Sequence, residues 1–111
     1  MDHKLMDFLI TSGGGVIPEI VSRVSSRPHN LAASLRDLEE QNMIKIEGPK
    51  SVIDFSKMIQ DLQKVNGYDS YSKEQQRVSV LKKIFEHSDV GDAYSNTLVQ
   101  LTARGHRKAH P

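Results

Sequence analysis

The sequence predicts a mainly helical domain that carries a small β-sheet. Apolar residues recur at spacings of three and four over most of the chain, which is the pattern of a helix with one buried face. Residues 43–47 instead alternate apolar and polar side chains, as a strand does, and residues 97–102 predict a second strand. Clusters of glycine, proline and serine separate these patterns, so that each pattern corresponds to one element.

The composition is that of one small globular domain. The chain has 111 residues, of which 37% are hydrophobic and 26% are charged, so the charge content gives no reason to expect disorder. Cysteine is absent, which excludes disulfides, thiolate zinc sites and cysteine nucleophiles. No apolar run approaches the ~20 residues of a membrane span, and the first residues lack the apolar core of a signal peptide. We therefore expect a cytoplasmic protein without a membrane partner.

Two short helices are predicted at the start of the chain. Residues 3–11 form the first, which ends at the three consecutive glycines 13–15. These glycines are not followed by the lysine and hydroxyl residue of a phosphate-binding loop, so they predict a turn between helices. The second helix spans residues 16–24 and tolerates Pro18 in its first turn, where backbone amides have no helical partner.

A longer third helix is predicted at residues 28–42, after a tight turn at 25–27. Ser26 is its predicted N-cap, and Pro28 lies inside its first turn. Its leucines, spaced by four and three residues, form a buried stripe. The strand at 43–47 follows directly, and a Gly-Pro pair closes it.

The second half of the chain predicts two more helices. Residues 52–66 and 72–87 both show helical spacing and begin behind a serine that starts a capping box. The first residues of the former, 52–55, are also compatible with a short strand that returns from the strand before them. Residues 88–95 are polar and contain glycine, so they predict a loop before the last strand.

The order of these elements resembles the winged helix-turn-helix transcription regulators, in the broad group that holds the MarR, PadR and ArsR families. Residues 17–24 match the support helix, and residues 27–44 resemble the recognition helix running into the wing. Residues 101–105, Leu-Thr-Ala-Arg-Gly, resemble the end of the strand that returns from the wing. The resemblance implies a fold of helices with a small β-wing and a function in binding duplex DNA.

The resemblance divides the single domain, residues 1–111, into three parts: a helix-turn-helix core at 3–48, a helical addition at 52–88, and the last strand with a basic tail at 97–111. It also exposes a departure, because some fifty residues separate the two wing strands where the families have a short hairpin. Two arrangements stay open. Either the wing carries a helical insertion, or residues 52–55 close the wing and the last strand is an addition.

The predicted DNA contacts follow from the geometry of the third helix. With its leucines turned inward, the opposite face is free to enter the major groove, where arginine pairs with guanine and asparagine with adenine. The base-reading candidates are Arg27, His29, Asn30, Ser34 and Arg36. Hydroxyl groups and free amides at a helix start suit phosphate. The corresponding candidates are Ser25 and Ser26.

Further cations are predicted to contact the DNA backbone from outside this helix. Lys45 and Lys50 flank the wing. The tail follows the last acid of the chain and carries Arg104, Arg107 and Lys108, which suit phosphate. We expect deletion of its end to leave the melting temperature unchanged, because a tail beyond the last apolar residue has little to pack against.

Catalytic and metal-binding arrangements are missing from the sequence. We find no nucleophile elbow, no framed acidic pair and no set of ligands spaced for structural zinc. We therefore expect no enzyme activity and no cofactor.

The function expected from these observations is sequence-specific binding of double-stranded DNA, as a transcriptional regulator, through the recognition helix 28–42 and a wing. A homodimer is expected from the apolar stripes at 52–66 and 78–85, which are equally able to pack on one another. The alternative is a winged-helix module that binds another protein and not DNA. The net charge of only +1 and the acidic residues Asp37, Glu39 and Glu40 favour that alternative.

Overall fold

A computed structural model describes residues 3–109 of the chain. Within that range the chain forms seven α-helices, a short 3-10 turn at Tyr68–Ser70 and three strands. The helices are α1 (His3–Ser12), α2 (Ile17–Arg23), α3 (Pro28–Glu40), α4 (Val52–Gln63), α5 (Lys73–Phe85), α6 (Ser88–Ser95) and α7 (Ala103–Ala109), and the strands are β1 (Gly15–Val16), β2 (Ile44–Glu47) and β3 (Leu98–Leu101). The predicted mainly helical fold with a small antiparallel sheet is confirmed.

The sheet has the order β1-β3-β2, and β3 pairs antiparallel with both neighbours. Because α4, α5 and α6 connect β2 to β3, the helical insertion is the correct one of the two predicted arrangements. Residues 52–55 begin α4 and form no return strand. Gly48 lets the chain leave β2 tightly against β3, since a Cβ there would lie 2.5 Å from the Cα of Thr97.

Pro18 and Pro28 occupy the first turns of α2 and α3 as predicted. The predicted N-cap of α3 was wrong by one residue. Arg27 holds that position in an extended conformation, and Ser26 precedes it. The reason is local, because a proline at the first helical position disfavours helical geometry in the residue before it.

The two helices of the insertion begin with complete capping boxes. The Ser51 hydroxyl accepts a hydrogen bond from the Asp54 amide, and the Asp54 carboxylate accepts one from the Ser51 amide. Ser72 and Gln75 repeat this exchange at the start of α5. Both helices stop two or three residues earlier than predicted, because α4 ends at Gln63 and α5 at Phe85.

Two segments predicted without regular structure are helical. The loop predicted at 88–95 is α6, which buries Tyr94 and brings Gly91 so near the ring of Phe85 that a Cβ there would lie 2.9 Å from it. The basic tail contains α7, while residues 110 and 111 lie outside the described range. Thr102 starts α7 by accepting a hydrogen bond from the Gly105 amide and donating one to the Asn42 carbonyl.

One hydrophobic core joins the helix-turn-helix segment to the insertion. Leu9, Ile20 and Leu35 belong to the same buried cluster as Phe55 and Ile84. The apolar stripe of α4 points mainly into this core. The stripe predicted at 78–85 was wrong in part, because Val80 and Ile84 reach the core whereas Val78 and Phe85 are exposed. The homodimer stays a prediction of the sequence. None of the described helices is long and apolar enough to cross a membrane.

Candidate nucleic-acid interface

A cationic cleft lies at the N-terminal end of α3. Lys4 of α1, Lys73 of α5 and Arg27 line it, so three separate segments contribute one cation each. The rest of the lining is polar and consists of Ser25, Ser26 and Asn30. No carboxylate is among the described residues that line the cleft. Four of the residues predicted to contact DNA are thus brought together.

Lys4 and Lys73 were missed by the sequence analysis. The Lys4 ammonium donates a hydrogen bond of 2.8 Å to the Ser25 carbonyl, which holds α1 against the turn before α3. Lys73 is half-buried at the first position of α5. Neither residue carries a local signal, because only the packing of α1 and α5 brings them near Arg27.

The Arg27 guanidinium is held in place by the insertion. Its Nη1 donates to the Tyr71 carbonyl at 3.2 Å and to Oε1 of Gln76 at 3.1 Å. Gln76 is almost completely buried, and its Nε2 donates to the Tyr68 carbonyl at 3.0 Å. No carboxylate among the described residues forms an ion pair with Arg27. The side chain is therefore a fixed and unneutralised charge.

The base-reading candidates of α3 separate into two groups. His29 and Asn30 are exposed in the first turn, beside the cleft. Ser34 is half-buried, and Arg36 is exposed two turns further on, where its Nε lies 3.3 Å from a carboxylate oxygen of Glu40. The structure thus places Arg36 away from the cleft, beside an acid.

A groove between α3 and α4 follows the exposed flank of α3. Its lining consists of His29, Ala32, Ala33, Arg36, Asp37 and Glu40 from α3 with Ser56, Ile59, Gln60 and Gln63 from α4. The three acids of α3, at positions 37, 39 and 40, are all exposed and lie in its C-terminal half. The acids thus lie at the end of α3 that is opposite to Arg27, the N-cap residue.

The predicted wing cations are not among the residues that line the cleft. Lys45 pairs with Glu47 on the same strand. Lys50 is half-buried, and its ammonium lies 5.4 Å from the centre of the Tyr94 ring. β2 leads into α4, and β3 follows α6, so the two strands are not joined by a short hairpin. Lys45 and Lys50 therefore do not lie on a free hairpin tip.

The three cations of α7 form a second exposed basic group. Arg104, Arg107 and Lys108 are all exposed. The helix begins beside the C-terminal end of α3, because Thr102 bonds the Asn42 carbonyl. Since α3 has 13 residues, it is ~20 Å long, and the start of α7 is about that far from the cleft.

No group of three or more histidines, aspartates or glutamates in the described part of the chain is arranged to hold a metal ion. Comparison of the chain with known protein families, curated proteins and solved structures finds no match. A function is therefore inferred from the site itself.

Proposed function

We propose that the chain binds double-stranded DNA through the N-terminal end of α3, as a sequence-specific regulator of transcription. The cationic cleft at that end is the observation that supports this proposal. Phosphate contacts supply most of the affinity of DNA-binding proteins. Lys4, Arg27 and Lys73 bring three cations to a cleft in whose lining, within residues 3–109, no carboxylate occurs.

The packing of α4 limits how α3 approaches the duplex. Helices packed side by side lie about 8–10 Å apart, and a major groove about 12 Å wide admits only one helix. With α4 along its flank, α3 enters by its N-terminal end rather than lengthwise. His29 and Asn30 then meet the base edges, and the cleft meets the phosphates beside them.

An approach by the N-terminal end also accounts for the acids of α3. Asp37 and Glu40 lie in the half of the helix that stays outside the groove, and so their repulsion of phosphate is reduced by distance. Arg36 belongs to that outer half and is no longer a preferred base contact. The homodimer and the cytoplasmic location stay predictions of the sequence.

A second candidate function is the docking of a partner protein in the groove between α3 and α4. The observation that favours it is the alternation of Arg36 with Asp37 and Glu40 beside the amides of Gln60 and Gln63. Such a mixed polar lining suits a partner surface better than a polyanion. The two functions use different ends of α3, so variants can distinguish them.

Substitution of residues that line the cleft tests the DNA proposal. Titration of duplex DNA at several salt concentrations gives the slope of log affinity against log salt, and each lost phosphate contact lowers that slope by about 0.9. We expect Lys73→Gln to lower it by this amount and Lys64→Gln, an exposed lysine at the end of α4, to leave it unchanged. After selection of a preferred sequence, we expect Asn30→Ala to cost about 1–3 kcal/mol of binding free energy.

Asn66→Ala is the matched control for Asn30→Ala, because Asn66 is exposed outside the cleft. A chain that binds no duplex at low salt, or that binds with a slope unaffected by Lys73→Gln, would contradict the proposal. Loss of a protein partner on reversal of the charges at Arg36 and Glu40 would instead support the second function.

A further inference from the structure

We propose that Arg27 is a preformed clamp for one phosphate group and that Gln76 is the residue that positions it. The inference deepens the proposed function, since it assigns the contact that the cleft makes with a phosphodiester. It also assigns a role to the insertion, because Gln76 and Lys73 both belong to α5.

The Arg27 guanidinium uses only part of its donors within the protein. Arginine has five N–H donors, and the two on Nη1 go to the Tyr71 carbonyl and to Gln76. Nε and Nη2 make no hydrogen bond to the described residues. These two nitrogens form one edge of the guanidinium, whose parallel N–H groups match two oxygens of a phosphate. Arg27 lines the cleft, and anchoring at Nη1 leaves this edge without a partner among the described residues.

Gln76 is oriented by a hydrogen bond of its own. Its amide nitrogen donates to the Tyr68 carbonyl, so its amide oxygen is the atom that faces Arg27. Burial leaves no water to replace this acceptor, since the side chain is only 2% exposed. A glutamine here fixes the arginine without neutralising it, whereas a carboxylate would compete with the phosphate for the same charge.

Arg27 shares the cleft with two lysines. Lys4 and Lys73 line the same cleft, and among the described residues no carboxylate pairs with Lys73. The free edge of Arg27 therefore lies in a positive field that attracts a phosphate of one or two charges. The phosphate group comes either from the backbone of a duplex or from a small phosphorylated molecule.

The test uses the full chain, labelled with nitrogen-15, and two probes. One is a DNA duplex, and the other is inorganic phosphate compared with chloride at the same ionic strength. The readout is the NMR resonance of the Arg27 Nε–H, together with the affinity for the duplex. We expect both probes to shift this resonance in the wild type. Arg27→Lys keeps the charge but loses the paired donors, and we expect it to weaken duplex binding on the order of tenfold.

Gln76→Met retains the length of the side chain and removes the acceptor. We expect it to weaken duplex binding on the order of threefold to tenfold when Arg27 is present and to have no effect in an Arg27→Ala background. A purely structural role of Gln76 would instead weaken binding equally in both backgrounds. Gln100→Met, at an exposed glutamine of β3, is the matched control.

The outcomes separate this inference from the proposed function. An Nε–H resonance that neither probe moves, or equal effects of Gln76→Met in both backgrounds, would overturn the clamp. Tight duplex binding without an Nε–H shift would overturn the clamp and leave the DNA function standing. A shift with phosphate but no duplex binding would support the clamp, exclude the DNA function and identify a small phosphorylated ligand as its occupant.

Discussion

Tyr94 shows how a single side chain joins α6 to α4 and to the segment before α4. Its ring packs edge-on against Phe55, with centroids 6.5 Å apart, and Lys50 lies over its face. Burial, helped by the nearby Asp54 carboxylate, raises the pKa of Tyr94 to about 12. The folded protein therefore resists ionisation of a hydroxyl that the unfolded chain ionises near its ordinary pKa of 10.0.

This pKa shift predicts a loss of stability in alkali. The stability that Tyr94 contributes is complete below pH 10 and falls as the pH rises toward about 12, because the unfolded chain then binds fewer protons than the folded one. Tyr94→Phe should reduce this loss, measured by denaturant unfolding at about pH 8 and about pH 11. Some loss should remain, because burial also raises the pKa of Tyr68. A Tyr94→Phe variant with the full wild-type loss would show that another group is responsible.

The candidate site shows which functional residues can be predicted from the sequence alone. Arg27 and Asn30 were predicted because they lie at the start of a helix behind a tight turn, and that information is local. The anchoring of Arg27 was not predictable, since Gln76 lies in another helix and its burial depends on the whole core. Lys4 and Lys73 were missed for the same reason.

At the scale of elements, residues 101–105 form the junction between β3, α7 and the segment that follows α3. The Thr102 amide donates to the Met43 carbonyl, and the Thr102 hydroxyl joins the end of α3 to the start of α7. Gly105 is buried where α7 approaches the backbone of Met43, and a Cβ there would lie 2.0 Å from the Met43 carbonyl oxygen. Close approach of two backbones, and not flexibility, requires this glycine.

Gly105→Ala should therefore destabilise the protein. The added methyl group must push α7 away from Met43, and overpacking of this kind costs about 1–3 kcal/mol of unfolding free energy. Ala103→Ser, at an exposed position of the same helix, should change it by no more than about 0.5 kcal/mol. Denaturant unfolding measures both. An equal, small effect would mean that α7 does not pack as described, and deletion of residues 106–111 would then leave the melting temperature unchanged.

The elements that sequence predicted best are those with their own start signals and a clear stripe. The helices α3, α4 and α5 have a proline or a capping box at one end, and α3 and α4 also bury their predicted apolar stripes. β1 has only two residues, and it is a strand because β3 pairs with it. α6 was missed because its helical form depends on packing against α5 through Gly91.

At the scale of the whole molecule, the insertion is part of the domain and not an appendage. The buried guanidinium of Arg77 on α5 donates to the carbonyls of Val21 and Ser22 at the end of α2 and pairs with Glu74 on its own helix. The insertion thus supplies hydrogen-bond donors to backbone carbonyls of the helix-turn-helix segment. Val80 and Ile84 of α5 lie in the hydrophobic core that the two parts share. The helix α5 is therefore part of the packed core rather than an addition on its surface.

A shared core predicts that the helix-turn-helix segment and the insertion unfold together. Val80 is fully buried in α5, and Val80→Ala should lower the free energy of unfolding by about 2–3 kcal/mol, from lost burial and the cavity left behind. Hydrogen exchange should report this decrease equally at the slowest amides of α3 and of α5, because one cooperative transition exposes both. Val78→Ala, two residues away on the exposed side of α5, should have little effect on either helix.

If Val80→Ala loosened α5 and left the hydrogen-exchange protection of α3 unchanged, the insertion would be a separate folding unit. The anchoring of Arg27 by Gln76 would then be lost whenever α5 opened, and the affinity for DNA would fall with the stability of α5 rather than with that of the whole domain.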